Sequence, residues 1–195
     1  MAEEKRLVFT FGRVNPPTIG HFELVKAVAK EAGNDDYWIF PSHTQDKKKN
    51  PLSFGTKVKW MKEMFFTYKK HIWEGDPELK TAFKVCEHFQ GEYQHICMIV
   101  GSDRKESFTK SLNAANGKTH TFKTIDVKSP KGLKRAPSDK NLEDYDIFDD
   151  TSTMSGSLMR KFADNDMPSK FMLGTRGLLN TWDSLQLMND VRTGE

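Results

Sequence analysis

The sequence predicts an α/β fold: a doubly wound parallel sheet with helices on both faces. Three observations predict it. Residues 7–12 form a short apolar run rich in Val and Phe, followed by a turn shaped by Gly and Pro and then by apolar residues at helical spacing. A second strand-like run, residues 37–40, comes after the stop signal Gly33-Asn34-Asp35, so strand, helix and strand follow one another as in a parallel βαβ unit. The pattern returns at residues 95–100, an apolar run that stops at Gly101-Ser102-Asp103-Arg104 and passes into a helical stretch.

Residues 7–25, LVFTFGRVNPPTIGHFELV, organise the chain. Val8, Phe9 and Phe11 favour a strand that ends at Gly12. Pro16 and Pro17 lack an N–H and fix φ, so no ladder continues through them. Thr18 is suited to cap the helix that follows, in which Phe22, Val25 and Ala29 recur at helical spacing. The N–H groups at that helix start lack internal partners and meet the positive end of the peptide dipoles, which suits an anion. His21 falls in the first turn, facing that anion. A strand and a capped helix occur in any α/β protein; the density of special residues in GRVNPPTIGH sets this one apart.

The loop PSHTQDKKKNPLS, residues 41–53, follows the second strand. Loops beyond the carboxyl ends of parallel strands form the ligand crevice, so Lys48, Lys49 and Asn50 are expected at the crevice that GRVNPPTIGH faces. Residues 54–68 read as a helix with Val58, Met61, Met64 and Phe65 on one side, and Lys57 opens it beside the loop. Residues 71–73 suggest a short third strand, and residues 78–89 a helix with Leu79, Phe83 and Cys86 inward. After the strand at 95–100, Asp103 and Arg104 are expected at the same rim, ahead of a helix over 105–115 and a strand over 119–127.

Residues 128–150 are the least regular stretch, basic at Lys128, Lys131, Lys134 and Arg135 and acidic towards Asp150, and read as a mobile lid or a surface excursion. The chain tightens again at TSTMSGSLMRKFAD, residues 151–164. Ser155, Gly156 and Ser157 can present hydroxyls and N–H groups at a helix start, with Arg160 one turn beyond Ser157 on the same face. Two hydroxyls and a guanidinium there suit phosphate oxygens. Residues 171–195, with Leu178, Leu179, Trp182, Leu185 and Met188, form a C-terminal helical segment that covers the sheet or meets a partner subunit of a homo-oligomer.

At 195 residues the chain is expected to fold as one domain over 1–195. Thirty basic side chains against 27 acidic ones, a net charge of +3, are too balanced to argue for a nucleic-acid binder. Cys86 and Cys97 lack metal-ligand spacing and read as reduced core residues, and no side-chain metal site is expected. No run is long and apolar enough for a membrane, and MAEEKR leads directly into the first strand, so a cytoplasmic protein is expected.

GRVNPPTIGH resembles the (His or Thr)-x-Gly-His signature of the nucleotidyltransferase superfamily of adenylyl- and cytidylyltransferases. MSGSLMR resembles its second signature, Ile-Ser-x-(Thr or Ser)-x-x-Arg, with Met154 in the Ile place. KNPLSFGTK is similar to the Asn-Pro-Phe-Thr-x-x-x-Arg stretch of small nicotinamide-nucleotide adenylyltransferases, with Lys57 at the arginine, and GSDR resembles their Gly-x-Asp element. The resemblance covers residues 7–165. QDKKKNPL and GSDRKESF are also similar to nucleotidyltransferases of tailed phages, for which the cytoplasm would be the host's.

The resemblance implies a Rossmann-like fold of the HIGH-signature type. It implies catalytic roles for His21, Thr18, Arg160 and Lys57: Thr18 and His21 contact the phosphates of a nucleoside triphosphate, and His21 stabilises charge on the α-phosphate. Ser155, Ser157 and Arg160 would hold the β- and γ-phosphates, while Phe11, Gly12, Arg13, Asn15, Gly20 and Met154 complete the nucleotide pocket. Lys48, Lys49, Asn50, Gly101, Asp103 and Arg104 would serve the acceptor. Mg²⁺ would bridge the phosphates, bound mostly through them and water. The implied reaction moves AMP from ATP onto a phosphorylated acceptor, best matched by nicotinamide mononucleotide, and releases pyrophosphate. Two alternatives stand: CTP with a phosphorylated sugar, alcohol or macromolecular acceptor, and a non-catalytic nucleotide-binding or phage assembly protein. A dinucleotide-dependent oxidoreductase fits poorly, because no G-x-G-x-x-G follows the first strand and Arg13 and Pro16 occupy the turn.

Overall fold

Strand β1 (Arg6–Gly12) holds an inner position in the sheet because both of its faces are apolar: Leu7, Val8 and Phe9 are all fully buried. The computed structural model describes residues 4–131, 141–145 and 154–195. Among these, β1, β2 (Asp36–Pro41), β3 (His95–Ile99) and β4 (Thr124–Lys128) form a parallel sheet in the order β2-β1-β3-β4. Helix α1 (Ile19–Ala32) crosses from β1 to β2 and sets Val28 and Ala32 against Val8, Cys97 and Ile99. On the opposite face, α3 (Ala82–Phe89) and α4 (Ser102–Ala115) cover Leu7, Phe9, Ile96 and Met98 with Val85, Cys86, Phe89 and Leu112. The winding therefore reverses between β1 and β3, and the crevice of a doubly wound sheet opens at that reversal.

A helical layer extends the α1 side. Helices α2 (Phe54–Met64), α5 (Gly156–Asp164), α6 (Pro168–Leu173) and α7 (Thr181–Thr193) share a core containing Met61, Phe65, Phe162, Phe171 and Leu187, joined to α1 through Phe22 and Val25. Trp60 Nε1 donates to Asp190 Oδ2 at 2.7 Å inside this core and ties α2 to α7. No helix among the described residues is long and apolar enough to cross a membrane.

Several elements differ from expectation for local reasons. Residues 71–73 do not make a strand: a 3₁₀ turn over Phe66–His71 leads to a single bridge, Ile39 to Ile72, with Trp73 N donating to Ile39 O at 2.9 Å. Trp73 then joins the aromatic cluster of Trp38, Phe40 and Phe89. Helix α2 stops at Met64, short of residue 68, and α3 begins only at Ala82, where the Thr81 hydroxyl caps Lys84 N. Helix α4 starts at Ser102 behind an extended Gly101, which takes Asp103 and Arg104 into its first turn. The strand expected over 119–127 shrinks to β4 because the Asn116 amide pairs with both backbone groups of Phe122. The C-terminal segment divides into α6 and α7 and packs on α2 and α5 rather than on the sheet, leaving Trp182 75% exposed. Of the stretch 128–150, residues 132–140 and 146–150, including Lys134 and Arg135, lie outside the described residues. At 142–145, Lys170 Nζ donates to the Glu143 and Tyr145 carbonyls, and the Tyr145 ring packs edge-on against Phe162.

Candidate active site

β1 ends at Gly12 and the chain reverses over residues 13–17. Val14 has φ of 43°, a left-handed conformation that a β-branched residue adopts only under strain, of the kind that collects at functional sites. Thr18 then caps α1, its side chain accepting from His21 N. Beside this turn, at the reversal between β1 and β3, lies a cavity of about 370 Å³, within the range of small-ligand sites. Its wall comes from residues 11–15, the starts of α1, α4 and α5, and Phe108 of α4. Three helix N-termini thus meet at one cavity. Each brings first-turn N–H groups without intrahelical partners and the positive end of its dipole.

The proton inventory at α1 is definite. Thr18 Oγ1 donates to the Met154 carbonyl at 2.8 Å and accepts from His21 N at 3.3 Å. His21 Nδ1 lies 2.9 Å from the same oxygen. A hydroxyl has one proton, here given to a carbonyl that can only accept, so His21 Nδ1 is the donor in its bond. Thr18, buried completely, also joins α1 to the segment that opens α5.

Helix α5 begins behind Ser155, whose hydroxyl accepts from Leu158 N at 3.3 Å. Gly156 lets this end approach the first turn: a Cβ there would stand 3.1 Å from Asn15 O and 3.2 Å from Pro16 O. Arg160 Nη1 donates to Asn15 O at 2.5 Å and Nη2 to Ser157 Oγ at 3.1 Å. The guanidinium is thereby oriented with further donors to spare. Burial, and then the nearby Arg13 charge, lower the Arg160 pKa from its ordinary value. Arg13, exposed, and Arg160, partly buried, are like charges on one cavity wall, an arrangement that an anion relieves.

The structure brings all eleven nucleotide-pocket residues named above, Phe11, Gly12, Arg13, Asn15, Thr18, Gly20, His21, Met154, Ser155, Ser157 and Arg160, to this wall. Gly101, Asp103 and Arg104 lie on it as well, whereas Lys48, Lys49, Asn50 and Lys57 do not. Asp46 accepts the N–H groups of Lys48 and Lys49 at 3.0 and 2.7 Å, forming a closed turn whose lysines are exposed, and it takes the Asn50 amide at 2.5 Å. Lys57 is fully buried and donates to the Ser42 carbonyl, with its pKa lowered by burial to about 8. Beside it, burial and the Lys57 charge lower the His43 pKa, and the His43 ring stacks on Phe54 at 3.7 Å. Sequence reasoning named Gly156 only as part of the α5 start and missed Val14, Leu24, Ser102 and Phe108 on the wall. Leu24 stands one turn beyond His21 on α1, the signal that could have found it, whereas Phe108 lies on α4 at a position no motif marks.

Among the described residues no group of three or more His, Cys, Asp or Glu side chains stands ready for a metal. Asp103 supplies the carboxylate on the wall.

Residues 9–162 match the model of the cytidylyltransferase-like family. A "probable nicotinate-nucleotide adenylyltransferase" of Fervidobacterium nodosum is 30% identical over 101 residues, 47% of this chain and 46% of that protein, so the match spans less than half of the relative. Among solved structures, a Vibrio parahaemolyticus protein with a provisional nicotinate-nucleotide adenylyltransferase name superposes with a TM-score of 0.57 at 15% identity, over 95% of this chain and 99% of that one. The nicotinic acid mononucleotide adenylyltransferase of Plasmodium falciparum, solved with APC, gives 0.57 at 14% identity, over 95% and 96%. At these identities the superpositions speak for the fold, a parallel α/β sheet flanked by helices. With the family model matched across both signature segments and the sheet between them, the chain belongs to the cytidylyltransferase-like family of nucleotidyltransferases.

Proposed function

We propose that this protein transfers AMP from ATP onto the phosphate of a pyridine mononucleotide, of the nicotinate or nicotinamide type, and releases pyrophosphate. The observation that carries this reading is the meeting of the α1 and α5 N-termini with His21, Arg13 and Arg160 around one cavity. Such a cavity is built for a polyanion. The names of the similar proteins favour the adenylyl branch and a nicotinate-type mononucleotide.

In this mechanism an acceptor phosphate oxygen attacks the α-phosphorus in line. A new P–O bond forms as the bond from the α-phosphorus to the αβ-bridging oxygen breaks, and the electron pair leaves with pyrophosphate. An ionised phosphate is already a nucleophile, so no strong general base is required, and catalysis is positioning plus neutralisation of charge. The N–H groups at the start of α5, Ser157 and Arg160 hold the leaving phosphates, and His21 faces the α-phosphate. Asp103 and Arg104, at the start of α4, face the acceptor. Mg²⁺ arriving on the triphosphate would be held mostly by phosphate and water oxygens, with Asp103 the one carboxylate of the wall among the described residues; there it would neutralise phosphate charge.

The test is identification of products by mass spectrometry after incubation with ATP or CTP and, separately, nicotinic acid mononucleotide, nicotinamide mononucleotide or a phosphosugar. A dinucleotide formed from ATP and a pyridine mononucleotide is expected. A CDP-linked sugar in its place would overturn the reading.

A further inference from the structure

Asn15 stands on the cavity wall, yet its side chain is spent elsewhere. Its Nδ2 donates to the Leu52 carbonyl at 3.0 Å, and its Oδ1 accepts the Leu52 N–H at 3.1 Å. The amide imitates a peptide edge and clasps the loop between β2 and α2. Asn15 is 2% exposed and Leu52 is fully buried, so neither bond competes with water. The backbone of the same residue faces the other way: its carbonyl takes the Arg160 guanidinium, and Gly156 lets α5 close against it.

On the loop side the clasp reaches a preformed unit. Asp46 and Asn50 exchange backbone hydrogen bonds at 2.9 and 3.1 Å, and the Asp46 carboxylate gathers the Lys48 and Lys49 N–H groups. Ser53, directly after Leu52, caps α2 through Thr56 N at 3.2 Å. The lysine-bearing turn is thus short and internally braced, and Leu52 is where it is fastened to the cavity turn.

We propose that Asn15 is a positioning residue that couples the β2–α2 loop to Arg160, so that the loop and the phosphate-holding guanidinium move as one unit. The assignment of Arg160 to phosphates rests on the function proposed above; the coupling itself does not. Asn15 then contributes through backbone placement and makes no side-chain contact with nucleotide.

The test is amide hydrogen exchange at Leu52 in the ligand-free protein, because that N–H is one of the two clasping bonds. Asn15→Asp keeps the shape but turns a second acceptor towards the Leu52 carbonyl, and at least about ten-fold faster exchange is expected. Arg160→Ala touches no loop residue, yet it is expected to speed Leu52 exchange by several-fold, and to add nothing in the Asn15→Asp background. Arg160→Lys keeps the charge but cannot span Asn15 O and Ser157 Oγ together, and takes the place of the alanine variant if that one fails to fold. Leu52 exchange unchanged by either Arg160 variant, in a protein with native circular dichroism, would overturn the coupling. Calorimetry with a non-hydrolysable ATP analogue is run in parallel: absence of binding to wild type would remove the nucleotide reading while leaving the exchange result to decide the coupling.

Discussion

Thr18 Oγ1 and His21 Nδ1 lie 2.9 Å apart, and the Thr18 proton is committed to the Met154 carbonyl, so the imidazole donates through Nδ1. Its other nitrogen, Nε2, then donates to a phosphate oxygen only when the ring is a cation. Transfer is therefore expected to fall on the alkaline side of the pH profile as the ring loses that proton. His21→Gln donates from an uncharged amide at any pH, so the alkaline limb should vanish from kcat/KM in that variant, at a lower plateau. An identical alkaline limb in the two proteins would separate His21 from the titrating group.

Removal of the Thr18 hydroxyl should be felt twice. Thr18→Val keeps the volume but leaves the Met154 carbonyl without its donor and His21 Nδ1 without its acceptor. A loss of ~1–3 kcal/mol in chemical denaturation is expected, together with slower transfer. Thr18→Ser retains the hydroxyl and should lose less of both. Equal stability of the valine and serine variants would contradict the hydrogen-bond inventory.

Arg160 should act on binding as well as on rate. Charge-assisted bonds of this type are worth roughly 1.5–3 kcal/mol, so Arg160→Ala should weaken an ATP analogue about 10- to 100-fold in calorimetry. Binding to wild type should weaken with added salt, since Arg13 and Arg160 bring two positive charges to the cavity wall. An affinity unchanged by the substitution would remove Arg160 from phosphate contact.

Lys57 gives a pH signature in stability rather than in binding. Burial lowers its pKa from 10.5 to about 8, so the unfolded chain binds the extra proton between those values. The penalty for the buried cation is fully present below about pH 8 and is relieved as pH rises towards 10.5, so stability gains from this group across that window. Urea midpoints should therefore climb with pH in wild type relative to Lys57→Met, which lacks the group. Because Lys57 is absent from the cavity wall, Lys57→Met should bind the ATP analogue as wild type does; a ten-fold loss would return Lys57 to the phosphate site.

What could be read from sequence was local. The strand before Gly12, the Thr18 and Ser155 caps and the spacing of Ser157 to Arg160 depend on neighbours within a few residues, and the structure forms each of them. The doubly wound sheet was legible because parallel crossovers leave few topologies. The direction of a side chain on a loop was not legible. Lys48 and Lys49 turn outward because Asp46 collects their N–H groups, and Lys57 turns inward to the Ser42 carbonyl; both depend on tertiary neighbours that a motif does not display. The double role of Asn15 was hidden for the same reason, since Leu52 and Arg160 lie 37 and 145 residues away in sequence. Trp182 was read in a segment that covers the sheet or meets a partner subunit; it does not cover the sheet but stands exposed, while Leu187 and Val191 of the same helix lie in the core shared with α5 and α6.

The measurement that bears most directly on the central claim is pyrophosphate release from ATP with nicotinic acid mononucleotide, by wild type and by His21→Ala. Wild type should form one pyrophosphate per dinucleotide, and the variant should be slower by about 10²-fold or more, the usual cost of losing one transition-state donor. Equal rates in the two proteins, or ATP bound in the cavity with no pyrophosphate formed from any phosphorylated acceptor, would contradict it.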